Sequence, residues 1–278
     1  MNKTMIDKNQ DLGEILAGMD RVIVAFSGGV DSTLVLKRAQ QELGEDNVLA
    51  VVVASELFRK EEFAGAVKLA EEMGVRVHQT AINELDDDRI VANTPDSWYY
   101  SKKLLYSHLN KLADEWGYSH VLDGMIMDDM EDFRPGLQAR TEAGARSVLQ
   151  EAKLYKQEVR ELTKELSIPV WNKPASCSLA SRIPYGTTID KQKIEQVDQA
   201  EKFIGKLGFE MVRVRYHDNA ARIEVPSQDI NALLKHRDEL QLKLASLGFT
   251  YVSVDLQGYR TGSMNEVLPS EPLKTEVS

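Results

Sequence analysis

The sequence predicts an α/β protein, a doubly wound, mostly parallel sheet followed by a second, smaller α/β domain. Three observations predict it. Short β-branched runs alternate with amphipathic helical stretches over residues 22–171. The composition, 42% hydrophobic and 28% charged in 278 residues, is that of a globular chain long enough for one large core and a smaller one. Beyond Thr187, Leu207-Gly208-Phe209 and Leu247-Gly248-Phe249 each follow a helical stretch and lead into a strand, as in a small domain of two similar halves. The first domain is taken as residues 1–172 and the second as 173–278.

The elements follow in order. Val22–Phe26 reads as a buried strand, and Leu34, Leu36, Ala39 and Leu43 recur at helical spacing up to a C-terminal Gly44. Asn47–Ala54 is a second strand, Lys60–Met73 a helix closed by Gly74, and Val75–Ala81 a third strand. Thr94-Pro95-Asp96 opens a long helix running to Trp116-Gly117. His120–Leu122 is a fourth strand ending in Asp123-Gly124. Strands and helices alternating at this length imply right-handed crossovers, with ligands beyond the carboxyl ends of the strands. Asp128–Gly136 reads as an ordered acidic loop over that edge, or as a solvated surface loop. Lys153–Leu166 reads as a helix, and Asn172–Ser178 as irregular loop.

Between the first strand and its helix stand Ser27-Gly28-Gly29-Val30-Asp31-Ser32. Two glycines allow a tight turn, Asp31-Ser32 can cap the following helix, and the N–H groups of a helix start suit a phosphate or pyrophosphate. A Walker loop needs a lysine before the Ser/Thr; here that residue is Asp31.

Composition excludes other classes. The longest apolar run, Val48–Ala54, is too short to cross a bilayer, and no hydrophobic signal core is seen at the N-terminus, so a cytoplasmic location away from membranes is expected. A net charge of -10 argues against a broad nucleic-acid surface. Five scattered histidines and one cysteine show no metal-site spacing and allow no internal disulfide or iron-sulfur site.

In the second domain Arg213, Arg215 and His217 alternate with Val212, Val214 and Tyr216, and Ala220–Val225 alternates likewise. A two-residue turn at Asp218-Asn219 would set Arg213 opposite Glu224 and Arg215 opposite Arg222. Like charges face to face call for an anion between them, so this face either binds an anionic group of a substrate or is a solvated basic surface. Cys177 is either a small packing residue or a reactive thiol with Lys173 and Arg182 nearby in sequence.

SGGxDS is similar to the loop of PP-loop ATP pyrophosphatases of the adenine nucleotide alpha hydrolase-like fold. The runs Trp171–Cys177 and Ser181–Thr187, with Pro95–Tyr100, Leu122-Asp123-Gly124 and Phe133–Gly136, resemble the LarE family over nearly the whole chain. The resemblance implies an ATP-dependent sulfurtransferase of nickel-pincer nucleotide biosynthesis, acting on pyridinium-3,5-biscarboxylic acid mononucleotide in lactate racemase maturation. It implies ATP with Mg2+, no iron-sulfur cluster, a hexameric assembly, and a sacrificial Cys177 left as dehydroalanine. Coenzyme A is a second candidate occupant of the ATP site. The candidate ATP-binding residues are Ser27, Gly28, Gly29, Asp31, Ser32, Ser55, Asp123 and Gly124. The substrate candidates are Trp98, Ser181, Arg182, Arg213 and Arg215. Glu201 and Glu224 match part of a family acidic cluster that holds a divalent metal, with no third carboxylate near Ala232. An amide-forming or tRNA-thiolating pyrophosphatase is the alternative.

Overall fold

In the computed structural model, which describes residues 3–130, 135–174, 176–260 and 262–268, the chain forms two compact units. The first comprises Met1–Glu84 and Asp96–Cys177, the second Leu85–Pro95 and Ser178–Ser278. Two features depart from the expected 172/173 boundary. The break falls between Cys177 and Ser178, and Leu85–Pro95 leaves the first unit to join the second. Asn93 explains the second departure. Buried, with φ at 50°, its side-chain amide donates to the carbonyls of Ile183, Pro184 and Thr187 at 2.9–3.1 Å.

The first unit is built on an all-parallel four-stranded sheet of β1 (Val22–Ala25), β2 (Val48–Ala54), β3 (Arg76–Ala81) and β4 (His120–Leu122), in the order β3-β2-β1-β4. Side chains alternate between two buried faces, as a doubly covered parallel sheet requires. Val22, Val24, Val48, Ala50 and Val52 join one core with Leu12, Leu34 and Leu36, whereas Ile23, Leu49 and Val51 join another with Tyr106 and Leu109. Strand order reverses direction between β1 and β4, which makes the crevice beyond their carboxyl ends the topological switch point.

Three local expectations are corrected. The helix after β1 spans Val30–Leu43 with Gly29 as its N-cap, so Asp31 and Ser32 lie inside its first turn and do not cap it. The helix expected at Lys153 starts at Lys156, because Lys153 sits at φ 56° in the left-handed region, outside helical geometry. The acidic segment Asp128–Gly136 is helical at both described ends, Met127–Met130 as one 3-10 turn and Gly136–Glu142 as α-helix. Its residues 131–134, with Phe133 and Arg134 of the resemblance, lie outside the described residues.

The second unit carries a three-stranded sheet of β5 (Arg213–His217), β6 (Ala220–Glu224) and β7 (Tyr251–Val254). β5 and β6 form an antiparallel hairpin, and β7 pairs parallel to β6. Asp218 takes φ 52°, the left-handed conformation a two-residue turn needs, and the register sets Arg213 opposite Glu224 and Arg215 opposite Arg222. The helices Lys191–Lys206 and Arg237–Ser246 precede β5 and β7 in the two similar halves and bury Ile204 and Leu244 against Val214, Ile223 and Phe249.

Candidate functional site

The loop after β1 is fixed by its own short side chains. Ser27 and Ser32 hydroxyls are 3.0 Å apart, the Ser27 N–H donates to Ser32 Oγ, and the Thr33 hydroxyl donates to the Gly29 carbonyl at 2.6 Å. Two glycines are required by geometry. Gly28 adopts φ +67° and a Cβ there would stand 2.9 Å from Ala66, while a Cβ on Gly124 would meet the Ser32 backbone nitrogen at 2.7 Å. Asp123-Gly124 after β4 therefore runs directly against the loop, and the first N–H groups of the Val30–Leu43 helix, which have no intrahelical acceptors, lie at the switch point.

Two predicted residues are held by neighbours that sequence reasoning did not name. The buried Asp123 carboxylate accepts from the Tyr106 and Ser147 hydroxyls, each at 2.6 Å, and from the Met125 N–H. Burial, and then the Asp123 charge, push the Tyr106 hydroxyl pKa far above its ordinary value, so it stays a donor. Ser55, just past β2, donates to Glu84, and Ser101 from the Ser97–Trp116 helix donates to the other oxygen of the same buried carboxylate. Trp98, half-buried, lies in the first turn of that helix.

Asp31 forms an ion pair with Lys156, whose Nζ lies 2.8 and 2.7 Å from the two carboxylate oxygens. Lys173 reaches the loop from the segment before the cysteine. Its Nζ is 3.3 Å from the Gly28 carbonyl and 2.9 Å from a Glu62 oxygen. Cys177 itself is exposed. Four residues of chain span at most about 14 Å, so the thiol is tethered close to a side chain that touches the loop.

In the second unit the structure gathers Ser181, Arg182, Arg215, Glu201 and Glu224. Arg182, 3% exposed, makes a two-pronged pair with Glu201 at 2.9 and 3.0 Å and also donates to the Ser181 hydroxyl. Arg215 forms the same two-pronged pair with Glu224, and donates to the Ser181 carbonyl and the Ser263 hydroxyl. Arg222 reaches Glu224 at 3.2 Å. The anion expected between Arg215 and Arg222 is thus supplied by the protein itself. Arg213 lies over the Tyr259 ring at 5.4 Å. Glu201 and Glu224 do not suit a divalent metal, since the oxygens of each are committed to guanidinium groups. Among the described residues no three His, Cys, Asp or Glu side chains come together as a ligand group.

A parallel α/β sheet with a lysine-free SGGxDS loop at its switch point defines the PP-loop, NAD-synthase-like class. A family model described as NAD synthase matches residues 12–96. Pyridinium-3,5-bisthiocarboxylic acid mononucleotide synthase of Lactiplantibacillus plantarum is 54% identical over 98% of this chain and 99% of its own length. An uncharacterised protein of Synechocystis is 39% identical over 94% and 98%. An NH(3)-dependent NAD(+) synthetase of Methanopyrus kandleri is 27% identical over 55% of each chain. The chain belongs to the LarE family. No described helix is long and apolar enough to cross a membrane.

Proposed function

We propose that the protein is an ATP-dependent sulfurtransferase that converts carboxylates of pyridinium-3,5-biscarboxylic acid mononucleotide into thiocarboxylates for a nickel-pincer cofactor. The observation that carries this reading is the pairing, within one unit, of a lysine-free phosphate loop with a single exposed cysteine, linked by the Lys173 contact to Gly28. The likeness to the Lactiplantibacillus synthase over almost the full length supports the substrate class.

The chemistry follows from the residue types. ATP enters with Mg2+ as its counter-ion, and the loop holds its phosphates through backbone N–H groups and the Ser27 and Ser32 hydroxyls. A substrate carboxylate oxygen attacks the α-phosphorus, pyrophosphate leaves, and the acyl carbon then carries AMP. The Cys177 thiolate attacks that carbon and AMP departs, giving a thioester. Removal of the Cys177 Cα proton forms a Cα=Cβ bond and breaks Cβ–S, with the electron pair staying on sulfur. The products are a thiocarboxylate and dehydroalanine at position 177. In the second unit Ser181 and Arg213 are candidate substrate contacts, with Arg182 and Arg215 holding Ser181 in place; Trp98 is a candidate contact of the first unit.

One cysteine gives at most one sulfur per chain. Wild-type protein given ATP and substrate should form no more than one thiocarboxylate per chain, and C177A should release pyrophosphate and leave AMP bonded to the substrate carboxylate, with no thiocarboxylate. Several products per chain without added sulfide, or thiocarboxylate from C177A, would contradict the reading.

A further inference from the structure

A Walker-type loop supplies a lysine to the outer phosphates, and this loop has Asp31 in that place. Backbone N–H groups and two hydroxyls carry partial charges only, whereas pyrophosphate leaves with several full negative charges. The loop's own residues therefore bring no cation to the leaving group beside the Mg2+ that enters with ATP. The fold brings two ammonium groups to the loop, Lys173 at the Gly28 carbonyl, where it is also paired with Glu62, and Lys156 at Asp31. Lys156 Nζ sits 2.7 Å from the Asp31 carboxylate and comes from a residue 125 positions away. The backbone of Lys156 is fixed at the same time, its N–H donating to Asp128 at 2.8 Å, while its side chain remains 32% exposed.

Lys156 also begins a row. Arg160 and Lys164 follow on the same face of the Lys156–Glu165 helix, and with Trp171 they line an open depression of about 510 Å³ that also contains Asp128 and Glu161. The Lys164 ammonium lies over the Trp171 ring at 5.0 Å. Cations thus outnumber carboxylates along this wall, and the row starts at the phosphate loop.

We propose that Lys156 is a catalytic residue that binds the β- and γ-phosphates of ATP and the departing pyrophosphate, in the place the loop leaves without a lysine. The assignment rests on the ATP chemistry proposed above. As the substrate oxygen bonds to the α-phosphorus, the bond from that phosphorus to the bridging oxygen breaks and its electron pair stays on pyrophosphate. The Lys156 ammonium stabilises that charge, and no proton is transferred. Asp31 holds the ammonium over the loop before ATP arrives.

The test is pyrophosphate binding by calorimetry and substrate-dependent exchange of labelled pyrophosphate into ATP, for wild type, K156M, D31N and the D31N/K156M double variant. Thermal midpoints are compared first, and K156Q replaces K156M if the latter does not fold. K156M should weaken pyrophosphate binding about tenfold or more and slow exchange, while AMP affinity stays within about twofold. The same loss should persist in the D31N background, which separates a direct contact from neutralisation of Asp31. Exchange and pyrophosphate affinity unchanged in K156M, or a K156M effect that vanishes in D31N, would overturn the assignment alone. A wild-type protein that neither binds pyrophosphate nor exchanges it would overturn the ATP reading and this assignment with it.

Discussion

Gly124 shows how closely two chain segments approach beneath the candidate nucleotide. Its Cα faces the Ser32 backbone, and a single added carbon would stand 2.7 Å from that nitrogen, well inside contact distance. Neither partner is a flexible side chain, so Gly124→Ala must push the loop aside. We expect G124A to lose about 1–3 kcal/mol of stability and to bind ATP about tenfold or more weakly, as read by thermal melts and nucleotide titration. A variant that binds ATP as the parent does would show that the loop position does not matter for binding. Asp123, next to it, was legible as a residue at the ligand edge. Its actual partners, Tyr106 and Ser147, were not, because they come from distant elements with no local pattern linking them. Replacing Asp123 with Asn sets an amide N–H₂ against one of three donors, at a cost of about 1–3 kcal/mol.

At the scale of elements, the β5–β6 hairpin was legible in full register because period-two alternation and a two-residue turn leave one pairing that keeps Val214 and Ile223 in the core. What the pattern did not reveal is the diagonal reach of Glu224. It stands opposite Arg213, yet its carboxylate turns to Arg215 and Arg222, neutralising the like-charged pair beside it. Glu224→Gln should therefore cost about 3 kcal/mol or more, since it leaves buried guanidinium charge unmatched. Arg222→Gln in that background should recover part of the loss, as seen in the thermal midpoint. If the double variant is no more stable than E224Q, repulsion between the two arginines is not the cause. The start of the Lys156–Glu165 helix was misplaced because a short helix, Val148–Glu151, ends just before it. Lys153 takes the left-handed position that closes that helix, with the Lys153 and Leu154 N–H groups donating to the Gln150 and Leu149 carbonyls. The Asp31–Lys156 pair left one indirect sign, the missing lysine in the loop.

Over the whole molecule, three histidines make stability depend on pH. His108 and His120 in the first unit and His217 in the second are all held below the ordinary value of 6.5, in each case chiefly by burial. Lys111, Arg146 and Arg222 respectively add like-charge repulsion. The unfolded chain then takes up protons before the folded one as pH falls. The stability from keeping these rings neutral is complete above about pH 6.5 and is lost progressively below it, down to each lowered value. Thermal midpoints should hold steady from pH 8 to 7 and decline towards pH 5; a flat profile to pH 5 would contradict this. Fold class and loop were legible because both rest on local periodicity and spacing. The division of the chain was not, because Asn93 joins Leu85–Pro95 to residues some ninety positions away. In the proposed reaction Cys177 gives its sulfur to the activated substrate, a step read by intact-protein mass spectrometry after incubation with ATP, Mg2+ and pyridinium-3,5-biscarboxylic acid mononucleotide. Loss of the mass of hydrogen sulfide, mapped to position 177 as dehydroalanine and in step with thiocarboxylate formed, is expected; an unchanged protein mass alongside full product formation would rule the transfer out.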